Sequence, residues 1–84
     1  MLLKSIPSLI HEGQSYWQVL SNTDEQLVLK VLDAQGKIAK TVVQQVSEGF
    51  HQLSVNLSDL GAGKYVVNAF SNGNFLKAVK LLVQ

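Results

Sequence analysis

Residues 49–65 read G-F-H-Q-L-S-V-N-L-S-D-L-G-A-G-K-Y, and this stretch limits the fold more than any other. Leu53, Val55 and Leu57 recur with a period of two, and Gln52, Ser54 and Asn56 fill the alternate positions. Successive side chains on a strand point to opposite faces, so the pattern predicts a strand with one apolar face and one wet face. Ser58-Asp59-Leu60-Gly61-Ala62-Gly63 then makes a tight connection, and Lys64-Tyr65-Val66-Val67 launches another strand. A strand that is apolar on one side needs a second layer to cover it.

The rest of the chain repeats this logic. Residues 14–20, with Tyr16, Trp17 and Val19, predict a strand. Residues 26–33 carry Leu27, Leu29 and Val31 on one face and Val28, Lys30 and Leu32 on the other. Asp33-Ala34-Gln35-Gly36 predicts a type I turn closed by a glycine at positive φ, a common three-residue hairpin loop. The returning strand, 37–46, is rich in β-branched residues. Ser47-Glu48-Gly49 is a second such loop, and Asn72-Gly73 is the preferred pair for a type I′ hairpin. A two-residue loop there sets Phe70 opposite Phe75, Val66 opposite Val79 and Tyr65 opposite Lys80. At the start, residues 2–6 predict a short strand stopped by Pro7, and residues 8–13 a loop.

No segment shows capped helical periodicity. Strands that recur every 8–12 residues between turn signals predict an all-β fold, a small antiparallel β-sandwich of about seven strands. Residues 1–84 form a single domain on this reading, large enough for one core. That core is expected to hold Leu29, Val31, Val43, Leu53, Val55, Leu57, Tyr65 and Val67.

Charge and chemistry narrow the function classes. Seven lysines face six acids and are scattered along the chain. No basic run points to nucleic acid or an anionic membrane. Cysteine is absent, which removes disulfides and thiolate metal sites. No apolar run approaches the ~18 residues of a membrane span, and Met1-Leu2-Leu3-Lys4 is too short for a signal peptide. The chain is therefore expected to be cytoplasmic or a piece of a longer exported protein. His11 and His51 lack a third ligand at metal spacing. No serine sits in a G-x-S-x-G turn, and Asp33 and Asp59 read as turn formers. Gly61 and Gly63 precede a strand, so they make no phosphate loop. No cofactor, metal or catalytic set is expected. Tyr16 and Trp17 point to opposite faces, so at most one enters the core, and the other covers an edge or belongs to a carbohydrate platform.

From Leu29 to Val83 the chain resembles the type A C-terminal sorting domain of type IX secretion in Bacteroidetes. The likeness rests on four elements in order. Leu29, Val31, Asp33 and Gly36 stand as the family's apolar-x-apolar-x-Asp-x-x-Gly turn. Gly49 leads into the alternating Leu53, Val55 and Leu57. Leu60, Gly63 and Tyr65 stand as Leu-x-x-Gly-x-Tyr, and Lys80, Leu81, Leu82 and Val83 as the closing strand. Where the family usually opens with a Pro-x-Asn-Pro-like segment, Pro7 is followed by Ser8-Leu9.

The resemblance implies an Ig-like sandwich at the C-terminus of a larger exported protein. It implies a non-catalytic signal, carried through the periplasm with its covalently attached passenger and recognised by the outer-membrane secretion machinery. A sortase-like peptidase then commonly removes it, leaving the passenger secreted or at the cell surface. The implied sorting residues are Asp33, Gly36, Gly49, Leu60, Gly63, Tyr65, Lys80, Leu81, Leu82 and Val83. The last strand is expected either to offer a free edge to a partner strand or simply to complete the sandwich. The rival reading is an Ig-like binding or adhesion module that holds carbohydrate or protein through Tyr16 or Trp17.

Overall fold

The computed structural model describes the backbone of residues 1–6, 9–10 and 13–84, and the side chains of 1–3 and 13–84. The strands are β1 (Leu2–Ile6), β2 (Leu9–Ile10), β3 (Gln14–Ser21), β4 (Glu25–Leu32), β5 (Ile38–Val46), β6 (Gly49–Asn56), β7 (Gly63–Ser71) and β8 (Asn74–Val83). They form a three-stranded sheet, β1-β3-β6, and a five-stranded sheet, β2-β8-β7-β4-β5. This is the expected small all-β sandwich. Every long pairing is antiparallel; the short β2 lies parallel to the end of β8, Leu9 beside Leu82 and Ile10 beside Val83. The N-terminal strands thus serve both sheets in turn, β1 in one and β2 in the other. The loop expected over 8–13 accordingly contains a strand. Its pairing partner lies more than seventy residues away in sequence, beyond the reach of a local pattern. Pro7 and His11 lie outside the described residues.

Both strongly signalled hairpins form. Gly36 stands at φ 82°, and its N–H donates to the Asp33 carbonyl at 3.0 Å. The Asp33 carboxylate accepts from the N–H groups of Gln35 (2.9 Å) and Lys37 (3.0 Å), which fixes the turn. Asn72 and Gly73 both take positive φ, 48° and 84°, as a type I′ turn demands. Phe70 faces Phe75, their ring centroids 5.8 Å apart in an edge-to-face pair.

Beyond that pair the register shifts. Ala69 meets Lys77, so Val66 faces Lys80 and Tyr65 faces Leu81, each one residue past the expected partner. The bulge at Leu76 has a physical reason. A one-residue slip exchanges the two faces of a strand. Without it Lys80 would point into the core and Leu81 and Val83 to water. With it Leu81 and Val83 are buried and Lys80 is exposed.

The core is the space between the sheets. The smaller sheet supplies Leu3, Trp17, Val19 and Val55; the larger supplies Leu27, Leu29, Val31, Val67, Ala69, Leu81 and Val83. Leu57 follows β6 into the same space. Leu29, Val31, Val55, Leu57 and Val67 are buried as expected, while Leu53 and Tyr65 are half-buried against the core. Val43 is not in the core; it is 56% exposed. β5 is an edge strand whose inward positions are Val42 and Val46, and Val43 faces outward opposite Val28. Of the adjacent aromatics, Trp17 is fully buried and Tyr16 is exposed.

Polar fasteners hold the two ends of the sandwich. At one end the buried Ser21 and Ser71 hydroxyls donate to the two carboxylate oxygens of Glu25, Ser71 at 2.8 Å; Ser21 shares its proton with the Thr23 carbonyl. These hydrogen bonds hold the Glu25 carboxyl below its ordinary range, that from Ser21 contributing most. At the other end Lys40 reaches from β5 to the Asn56 carbonyl (2.6 Å) and to Asp59 (3.1 Å), and this contact lowers the Asp59 carboxyl. Gly13 accepts from the Leu57 N–H at 2.7 Å; a Cβ at Gly13 would lie 2.6 Å from Ser58 Cβ, so only glycine allows this approach.

Two predictions follow from this packing. Leu29→Ala should cost about 2–5 kcal/mol in urea unfolding, while Val43→Ala should stay within about 0.5 kcal/mol. Equal losses would contradict the face assignment. Because the Glu25 carboxyl is lowered in the folded chain, its contribution is present above the unfolded-chain value and is lost as pH falls through the lower folded value. Glu25→Gln should therefore flatten the acid side of the stability profile and leave its shape near neutral pH unchanged, as measured by thermal unfolding across the acid range.

Candidate functional site

Three strand ends of the larger sheet meet at one end of the sandwich. β4 exits there into the 33–36 turn, β7 starts at Gly63, and β8 finishes at Val83. Cross-strand pairs place Lys64 beside Leu82, Tyr65 beside Leu81 and Val66 beside Lys80. Between them and the turn lies an open groove of about 760 Å³, lined by Asp33, Ala34, Lys64, Tyr65, Val66, Lys80, Leu81 and Leu82. A smaller hollow adjoins it and reaches Gly63.

The residues from 60 to 65 build one wall. The Leu60 N–H donates to the Leu57 carbonyl at 3.0 Å, and its side chain packs on the core. Gly63 turns into β7 at φ 152°, a backbone conformation that side-chain-bearing residues rarely adopt. The Tyr65 hydroxyl then reaches back and donates to the Gly61 carbonyl at 2.7 Å. A tyrosine near a strand start tied to backbone a few residues upstream is the tyrosine corner of Ig-like sandwiches. The Leu-x-x-Gly-x-Tyr spacing is thus the chemistry of one corner: a core plug, a glycine turn and an aromatic fastener.

Of the residues singled out by sequence, the structure gathers Asp33, Gly36, Leu60, Gly63, Tyr65, Lys80, Leu81, Leu82 and Val83 at this end. Gly49 stands apart; it pairs with Ser21 at the opposite end of β3. There His51 Nε2 donates to the Ser47 carbonyl at 2.9 Å; the Ser47-Glu48-Gly49 turn, read from sequence as a second hairpin loop, instead carries the chain from β5 in the larger sheet to β6 in the smaller. Lys64, Val66 and Ala34 also line the groove and were missed. Lys64 stood between two motif residues, but only the pairing register shows that it shares a face with Val66, Lys80 and Leu82.

The groove joins apolar surface to two exposed ammonium groups, Lys64 and Lys80. Its acid, Asp33, is committed to the turn. Among the described residues its lining holds no serine, threonine, cysteine or histidine. Tyr16 is exposed on the outer face of the smaller sheet, whereas its neighbour Trp17 is buried, so the two do not share one surface. Tyr65→Phe should remove the corner hydrogen bond and cost about 0.5–1.5 kcal/mol in denaturant unfolding. An unchanged midpoint would show that the corner contributes nothing.

The family described as "Secretion system C-terminal sorting domain" matches residues 14–84. No curated protein matches the chain. Among solved structures, Pseudomonas fluorescens alkylpurine DNA glycosylase AlkC, bound to DNA containing an abasic site analog, is similar with a TM-score of 0.61. The identity is 15%, and the alignment covers 99% of this chain but only 29% of that one. The likeness is one of fold alone.

Proposed function

We infer the function of this chain from its family, for it belongs to the secretion system C-terminal sorting domains. Members are the sorting signals of type IX secretion in Bacteroidetes, directing export to the cell surface or release from the cell. The family is a non-catalytic signal that interacts with the secretion machinery.

On this reading residues 1–84 are one sorting domain joined to a passenger. The passenger crosses the periplasm with it and is handed to outer-membrane machinery. The surface that the machinery reads is the groove between the 33–36 turn and the paired ends of β7 and β8. The observation that carries this assignment is the convergence at one end of all the implied sorting residues but Gly49. Within that set the residues divide. Asp33, Gly36, Leu60, Gly63, Tyr65, Leu81 and Val83 shape the end, whereas Lys80 and Leu82, together with Lys64, present themselves to a partner. Two ammonium groups beside exposed apolar surface favour a partner segment of mixed acidic and apolar character.

A fluorescent passenger with a signal peptide, fused before Met1, should be exported across the outer membrane of a type IX host. The Lys64→Glu, Lys80→Glu double variant alters two exposed side chains, so it should fold but leave its passenger in the periplasm. Export of that variant at the wild-type level would remove the groove as the recognition surface. Retention of the folded, protease-resistant wild-type fusion would remove the sorting assignment itself.

A further inference from the structure

We propose that β5 is a self-pairing edge, through which two copies of this chain join antiparallel about Val43. The strand is the outer edge of the five-stranded sheet, next to β4 alone. Edge strands in monomeric proteins are usually blunted by proline, by outward charges or by bulges. β5 has a register irregularity only at its start, between the partners of Val31 and Leu32. From 40 to 46 it runs as K-T-V-V-Q-Q-V in unbroken register with no proline. Its one charge, Lys40, is turned across the sandwich onto Asn56 and Asp59. A bare, regular edge with alternate N–H and C=O groups pointing outward is a template for another strand.

The occupant is set by the side chains at that edge. On the outer face of the sheet a row of apolar residues crosses the strands, Phe75 beside Phe70, Phe70 beside Val28, and Val28 beside Val43. The row stops at the edge with Val43 exposed at 56%. An antiparallel copy centred on Val43 sets Val43 against its own counterpart and carries the row unbroken into the second sheet. Val42 then meets Gln44, Thr41 meets Gln45, and Lys40 meets Val46, with no like charges opposed. The ends agree as well. The basic Lys37 at one end of the strand falls within one residue of the acidic Glu48 of the other copy, and the reciprocal pair repeats this. A parallel copy would set each charge against its like.

Cysteine-free sequence makes the register testable in the full chain. Directly opposed residues of antiparallel strands have Cα atoms about 4.5–5.5 Å apart, within disulfide range. Ile38, at 58% exposure, matches Val43 in accessibility but lies well off the proposed axis. Under mild oxidation most of V43C should become a covalent dimer while I38C stays monomeric. In sedimentation, wild type should dimerise with concentration, V43K and V43E should each weaken the dimer at least tenfold, and an equimolar mixture of the two should restore it. Circular dichroism of both charge variants should match wild type, since the site is exposed. Wild type that stays monomeric into the millimolar range overturns the proposal, as do equal cross-linking of V43C and I38C or V43K that dimerises as well as wild type.

Discussion

Contact between the inner faces of two sheets is what the rest of the structure depends on. Trp17, Val19 and Val55 on one side meet Leu27, Leu29, Val31, Val67 and Leu81 on the other. Burying each large apolar side chain contributes about 1.5–3 kcal/mol, and the net stability of a domain of 84 residues is about 4–12 kcal/mol. One misdirected strand would therefore consume most of the margin. This is why the bulge at Leu76 matters: it turns Leu81 and Val83 inward at the cost of one ladder position. The same end of β8 carries the short parallel pairing with β2, Ile10 beside Val83.

Local chemistry was legible in the sequence wherever it decided the outcome. The Asp33–Gly36 turn, the Asn72-Gly73 hairpin and the one-sided strands depend on neighbours a few residues away, and all form as read. Features that depend on distant partners were not legible. Nothing in the β-branched run of β5 says that it has one neighbour rather than two, so Val43 read as core and is exposed. The hairpin register held at Phe70–Phe75 and failed at the bulge, because the burial of Leu81 and Val83 is set by the opposite sheet. The candidate site behaves likewise. Its corner was present as a spacing, while its open face, with Lys64 beside Leu82 and Val66 beside Lys80, emerges only from strand pairing.

The end of β8 bears on how a signal of this kind is read. A free C-terminal edge would be a natural template for a receptor strand. Here Leu82 and Val83 are paired with β7 on one side and with Leu9 and Ile10 on the other, so that end of the sheet is closed by the chain's own N-terminal segment. The proposed recognition at this end accordingly rests on exposed side chains and not on the backbone edge of Leu82 and Val83. That agrees with a groove rimmed by Lys64 and Lys80.

Most of the residues that mark the family resemblance are occupied in building the domain. Asp33 holds its turn, Tyr65 closes the corner onto Gly61, and Leu81 and Val83 fill the core. Removing residues 80–84 would take two core side chains and a stretch of β8 pairing, so a loss of sorting after such a deletion would report on folding as much as on recognition. The two contributions separate only at positions that are exposed, lie in the groove and hold nothing together. Lys64, Lys80 and Leu82 meet all three conditions, and none of them donates or accepts a side-chain hydrogen bond among the described residues. A surface that is free of structural duty is where a partner's preference can act without first passing through the stability of the sandwich.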